Sequence, residues 1–159
     1  MNQHFKKFIE DKFIQPGKAL DLGAGNFEDV FYFRNIGWEC DGVDKDQGVN
    51  LEEKYISENS PYDLVFSKYV FHKINNQDVF LDTMIHNLKE GGWLLLQTFD
   101  IYDKISIRST KKEELEKKLK QKEVKEISFK VFDIYDEEHR HWHKILQVES
   151  QKYRPQNDL

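Results

Sequence analysis

Short apolar runs at residues 18–22, 38–43, 62–66 and 93–98 end in glycine, aspartate or polar residues, and stretches of helical apolar spacing lie before, between and after them. This alternation constrains the fold more than any other feature of the chain. Strands that alternate with helices of about three turns form a mainly parallel sheet covered on both faces, because parallel neighbours need right-handed crossovers of that length. The sequence therefore predicts a doubly wound α/β fold. In such sheets ligands bind beyond the carboxyl ends of the strands, so the residues just after each apolar run are the ones to examine.

The helices follow from their apolar positions. Phe5, Phe8, Ile9 and Phe13 set one within residues 1–15, ended by Pro16 and Gly17. Val30, Phe31 and Phe33 set a second within residues 26–36, stopped at Gly37. Leu81, Met84, Ile85 and Leu88 set a third, capped by Asn75 and Asn76 and ended by Gly91 and Gly92. A fourth, residues 111–122, is strongly charged and has only Leu115 and Leu119 as an apolar seam. Residues 124–132 then alternate as an edge strand does, and Ile145, Leu146 and Val148 read as a strand covered on both faces. These two can pair as a hairpin through residues 133–140. Residues 1–150 are expected to form a single domain, with 151–159 as a flexible tail.

Composition bounds the function. Apolar residues are only 38% of the 159, but 12 Phe, 7 Tyr and 3 Trp supply large buried areas. No stretch approaches the roughly 18 apolar residues that span a bilayer, and the first residues are charged, unlike a signal peptide. The expectation is a cytoplasmic protein with no membrane partner. The single cysteine, Cys40, excludes an internal disulfide and any cysteine-pair zinc site, and is expected to fill space in a strand. A net charge of −5 argues against nucleic acid as a partner. Residues 104–125 carry nine Lys/Arg against four Glu, which leaves RNA open, although a solvated outer face is the ordinary reading of such a helix.

Asp21, Leu22, Gly23, Ala24 and Gly25 join the first strand to its helix. Two glycines one residue apart let the backbone turn tightly and approach a ligand without a Cβ clash. The second strand ends in Asp44, whose carboxylate can accept hydrogen bonds from both hydroxyls of a ribose. A nucleoside cofactor is the natural guest. Dinucleotides place a pyrophosphate at the helix N-terminus and use a third glycine three positions after the second. Here that position is Glu28, with Asp29 beside it and Asp21 behind it. Such a turn repels a diphosphate and welcomes a cation. S-adenosylmethionine, with a sulfonium, an ammonium and no phosphate, has that chemistry. The Gly-x-x-x-x-Gly-Lys-Ser/Thr run of a phosphate-loop NTPase is missing.

These residues resemble the class I S-adenosylmethionine-dependent methyltransferases over about residues 17–100, and more loosely through the last two strands. The resemblance rests on Leu20-Asp21-Leu22-Gly23-Ala24-Gly25 and on Gly42-Val43-Asp44-Lys45. It is reinforced by Tyr62-Asp63-Leu64-Val65-Phe66-Ser67, Phe71-His72-Lys73-Ile74 and Leu88-Lys89-Glu90-Gly91-Gly92-Trp93-Leu94-Leu95-Leu96. The family implies a Rossmann-like sheet of seven strands with the last antiparallel. It also implies a cofactor held by Asp21, Gly23, Ala24 and Gly25 at the amino acid end and by Asp44 at the ribose, leaving S-adenosylhomocysteine as product. By the same resemblance Lys45, Asn50 and Leu51 line the adenine, and Ser67 and Lys68 flank the methionine portion. Residues 46–60 show no clear third strand. By size the chain is similar to small members that methylate metalloid oxyanions or thiopurines, but no motif fixes the acceptor.

No residue is compelled as a catalyst. His72 is a candidate base, although a histidine at a helix start is as often packed or capping. Tyr69, Tyr102 and Trp142 are candidates for shaping an acceptor pocket. His139, His141 and His143 share one face if extended and so could bind a metal, but no carboxylate or cysteine at ligand spacing is evident, and no metal is expected. Ser67-Lys68-Tyr69-Val70 lacks the Asn/Asp-Pro-Pro-aromatic motif of enzymes that methylate base amines. The leading expectation is a methyltransferase acting on a small-molecule acceptor. The alternatives are a non-catalytic module that binds the same cofactor or a protein partner, and an NAD(P)-binding oxidoreductase.

Overall fold

The computed structural model describes residues 1–155. In chain order the elements are α1 (Gln3–Lys12), β1 (Lys18–Leu22), α2 (Glu28–Asn35), β2 (Glu39–Val43), β3 (Tyr62–Lys68), α3 (Gln77–His86), β4 (Leu88–Phe99), α4 (Lys112–Lys120), β5 (Val124–Asp136) and β6 (His141–Lys152). One sheet runs in the order β2-β1-β3-β4-β6-β5. Its first four strands are parallel, and β6 is antiparallel to both β4 and β5.

Alternation along each strand builds the two covered faces. On β3, Leu64 and Phe66 face one way and Val65 the other; on β4, Leu95 opposes Leu94 and Leu96. The first face is closed by α1 and α2 through edge-to-face aromatic contacts, Phe5 of α1 to Phe66 at 5.0 Å and Phe33 of α2 to Trp38 at 5.2 Å. Asn2 caps α1 by accepting from the Phe5 N–H at 2.9 Å. The second face is closed by Phe80, Leu81 and Met84 of α3 and by Leu115 and Leu119 of α4, all buried. The narrow seam of α4 is enough because its charged side is partly paired: Lys118 and Lys122 reach Asp78 of α3, and Lys122 also reaches Asp82 at 2.8 Å.

The doubly wound arrangement is as expected, with two corrections. The sheet has six strands among the described residues, not seven. The missing one falls at residues 46–60, where backbone groups of Tyr55 and Ser57 bond to side chains on and just after α3. The Tyr55 N–H donates to Thr83 Oγ1 at 3.1 Å, and the Ser57 N–H to Asn87 Oδ1 at 2.9 Å, while Asn87 Nδ2 donates back to the Tyr55 carbonyl. A segment held that way needs no strand neighbour. Residues 151 and 152, expected in the tail, are the end of β6, and the Tyr153 N–H donates to the Glu123 carbonyl at 3.0 Å. Residues 156–159 lie outside the described residues. Cys40 is buried in β2, and burial pushes its thiol up to about 12, as suits a packing residue.

Candidate functional site

The carboxyl ends of β1 to β4 all open on one edge of the sheet, and the glycine turn sits at its middle. The N–H groups of Gly23 and Ala24 both donate to the Val43 carbonyl at 2.9 Å, which ties the turn to the end of β2. Gly23 has φ +85°, and a Cβ there would stand 2.5 Å from Val70 Cγ2. Only glycine fits that position on both counts.

Beside the turn lies a crevice of about 490 Å³, a volume within the ordinary range for small-ligand sites. Its walls are Gly23, residues Asp44 and Lys45, the segment 48–52, and Val70, Lys73 and Ile74. Of the expected cofactor residues, Gly23, Asp44, Lys45, Asn50 and Leu51 come together here. Gly25 stands next to them, its N–H donating to Asp44 Oδ2 at 3.0 Å. Asp21, Ala24, Ser67 and Lys68 do not line the crevice wall. Ser67 is buried, with its hydroxyl donating to the Leu22 carbonyl at 2.8 Å, so it fastens β3 to β1. Lys68 is paired with Asp29 of α2 at 2.9 Å.

Sequence reasoning missed Gly48, Val49, Glu52, Val70, Lys73 and Ile74 as lining residues. Glu52 accepts from the N–H groups of Asn75 and Asn76 at 2.8 Å each, and these two bonds hold its carboxyl below the ordinary value. They also close the crevice by linking the loop after β2 to the segment before α3. Carboxylate pairing with two successive loop amides leaves no periodic signal in a sequence.

The charge pattern at the turn is acidic. Burial pushes Asp21 well above the ordinary carboxylate value, Asp29 and Asp44 push it further the same way, and Lys68 opposes them. A cation delivered beside Asp21 relieves this repulsion, whereas a diphosphate adds to it.

Farther along the same edge, aromatic rings form a continuous row. Tyr69, just past β3, stacks on Phe99 at 5.7 Å, and Phe99 meets His72 at 4.5 Å and stacks on His143 at 4.4 Å. His72 is buried with Nδ1 3.3 Å from Thr98 Oγ1, and burial, aided by the Lys73 cation, lowers it to about 4. It is neutral at neutral pH and a weak base. Tyr102 and Trp142 are exposed, and the Trp142 ring meets Tyr135 of β5 at 5.3 Å. The expectation that the alternating histidines lack an acidic companion is corrected by the hairpin: Asp136, at the end of β5, lies directly opposite His141 in the ladder.

A family model for the methyltransferase domain matches residues 2–152. No curated protein matches the chain in sequence. Among solved structures, the chain is similar to TehB from Haemophilus influenzae, with a TM-score of 0.72 and 18% identity over 96% of this chain; it spans 62% of that chain's length. It is also similar to the 1,6-didemethyltoxoflavin-N1-methyltransferase of Burkholderia thailandensis with bound 1,6-didemethyltoxoflavin and S-adenosylhomocysteine, at TM-score 0.72, 15% identity and coverage of 96% of this chain and 78% of that one. A SAM-dependent methyltransferase from Methanosarcina mazei aligns with TM-score 0.76 and 12% identity over 93% of this chain and 98% of that one. At such identities the likeness establishes the Rossmann-like fold.

Proposed function

This chain belongs to the methyltransferase domain family, and from that membership we propose that it is a cytoplasmic enzyme that transfers the methyl group of S-adenosylmethionine to a small-molecule acceptor. The observation that carries the cofactor is the acidic turn beside the crevice: a buried Asp21 held above its ordinary value, with Asp29 and Asp44 adding negative charge, and Glu28 where a dinucleotide site has its third glycine. These residues fit a phosphate-free cationic nucleoside and do not fit a pyrophosphate.

When bound, S-adenosylmethionine supplies an electrophilic methyl group on a sulfonium. Asp44 would accept from the ribose hydroxyls, using the lone pairs that its bonds to the Gly25 and Asp46 N–H groups leave free. Leu51, Val49 and Ile74 would supply apolar walls for the base, and Asp21, behind the turn, would add negative charge near the amino acid portion. The chain then has to align the acceptor with the methyl–sulfur bond and exclude water. His72, lowered to about 4, is poorly matched to take a proton from a weakly acidic acceptor. The site therefore suits acceptors that arrive already nucleophilic, such as thiolates, selenides or reduced metalloids. The Burkholderia protein supports a small acceptor by analogy of fold.

Formation of S-adenosylhomocysteine from S-adenosylmethionine with a panel of thiol, metalloid and amine acceptors tests this reading. Steady turnover with a soft nucleophile is expected. Cofactor binding with no turnover on any acceptor marks a non-catalytic module instead.

A further inference from the structure

We propose that Asp136, His141 and His143 form a binding site for a divalent transition metal of the zinc class. The hairpin builds the site from strand geometry. Asp136 is paired with His141 across β5 and β6, and His143 lies two residues along β6 on the same face. His141 Nε2 and His143 Nε2 are 2.9 Å apart, and Asp136 Oδ2 is 3.9 Å from each. One ligand atom from each of the three residues thus lies within 4.8 Å of the other two.

The surroundings orient these atoms as a metal site requires. His143 Nδ1 is 3.1 Å from Asp103 Oδ2. That carboxylate is almost fully buried and is itself fixed by the N–H groups of Lys144 and Ser106, both at 2.8 Å. Donation from Nδ1 to Asp103 places the lone pair of His143 on Nε2, facing His141 and Asp136; a carboxylate behind a histidine is the usual support of a metal-bound imidazole. Asp136 is steadied in turn by His139, whose N–H donates to Oδ1 at 3.1 Å and whose Nδ1 donates to Oδ2 at 2.8 Å. Two imidazole nitrogens directed at each other can share only one proton, whereas a cation between them satisfies both lone pairs.

Ligand chemistry selects the ion. Two imidazoles and one carboxylate suit zinc, and one carboxylate is too little for calcium or magnesium. Zinc at about 2.1 Å from each ligand sets the ligand atoms roughly 3.4 Å apart in a tetrahedron. Occupancy therefore needs the two nitrogens to part, and the carboxylate oxygen to close, by about half an ångström or less, which side chains at a hairpin end can supply. Three protein ligands leave a fourth position open. His141 and Asp136 keep 28% and 27% of their side-chain surface exposed, so that position opens to solvent. Through His143 and Phe99 the site adjoins the aromatic row at the sheet's carboxyl edge. Its existence does not rest on the methyltransferase reading.

The test uses the full, untagged chain, stripped with a chelator and titrated with Zn²⁺ by calorimetry and with Co²⁺ by visible absorption. One ion per chain is expected, with cobalt d–d bands of a low-symmetry nitrogen and oxygen site. His141→Ala and Asp136→Asn should each weaken Zn²⁺ binding at least tenfold, with circular dichroism unchanged. Asp103→Asn should weaken it by about 10- to 100-fold through loss of His143 orientation. Failure of the unmodified chain to bind stoichiometric Zn²⁺ or Co²⁺, or binding that persists unchanged in His141→Ala, overturns the proposal. Either failure leaves S-adenosylmethionine binding untouched, so the two readings are separable.

Discussion

The carboxylate of Asp44 accepts a hydrogen bond from the backbone N–H of Gly25 at 3.0 Å, so the end of the glycine turn and the acid that follows the neighbouring strand are held as one unit. Under the proposed function this contact would join the turn that receives the amino acid end to the carboxylate that receives the ribose. Asp44→Ala should weaken S-adenosylmethionine binding by about 1 to 3 kcal/mol through lost charge-assisted hydrogen bonds. Calorimetry measures it, and an unchanged affinity would show that Asp44 does not face the ribose.

Asp21 makes binding depend on pH. Its folded value is raised, so the folded chain retains a proton that the unfolded chain releases above about the ordinary value of 3.8. Stability is therefore lost as pH rises from there through the folded value. Asp21→Asn should melt higher than the parent chain above that window and should bind the cationic cofactor less tightly. In the parent chain, a cation beside Asp21 lowers its value again and releases a proton. Calorimetry in two buffers of different ionisation enthalpy should detect this release, with affinity rising with pH.

Gly23 combines a left-handed backbone with a close neighbour. Gly23→Ala should cost roughly 2 to 4 kcal/mol of stability from the unfavourable φ and from overpacking against Val70. Adding Val70→Ala should restore only the packing part. Chemical denaturation of the single and double variants separates the two, and full recovery in the double variant would contradict a backbone contribution.

His72 titrates in the opposite direction to Asp21. Its folded value is lowered to about 4 from 6.5, so its contribution is present above 6.5 and is lost as pH falls through that window, by up to roughly 3 kcal/mol. His72→Gln should flatten the stability profile between these two values. Because the ring is packed and neutral, the variant should also retain methyl transfer to thiolate acceptors. A turnover profile that loses a limb in His72→Gln would instead make the residue the base.

The strand–helix alternation was legible because β1, β3 and β4 lie inside the sheet and carry short, largely apolar runs, each followed by a turn and a helical spacing. Asp44 and Gly23 were legible because their places, after one strand and before one helix, are fixed by local chain geometry. The crevice wall from Val70 to Ile74 was not, since it is a single tight turn without periodicity. Residues 46–60 looked unstructured because Thr83 and Asn87, far along the chain, supply their hydrogen bonds. Ser67 and Lys68 were expected to touch the cofactor, yet one fastens a strand pair and the other neutralises Asp29. The grouping of Asp136 with His141 depends on hairpin register, which the turn geometry of residues 137–140 decides.

The account rests on the crevice accepting a phosphate-free cationic nucleoside. Parallel calorimetric titrations of the full chain with S-adenosylmethionine and with NAD⁺ test it most directly. Saturable binding of the sulfonium compound, weakened in Asp44→Ala, with no heat from the dinucleotide, is the result predicted. Tight NAD⁺ binding with no response to S-adenosylmethionine would contradict it.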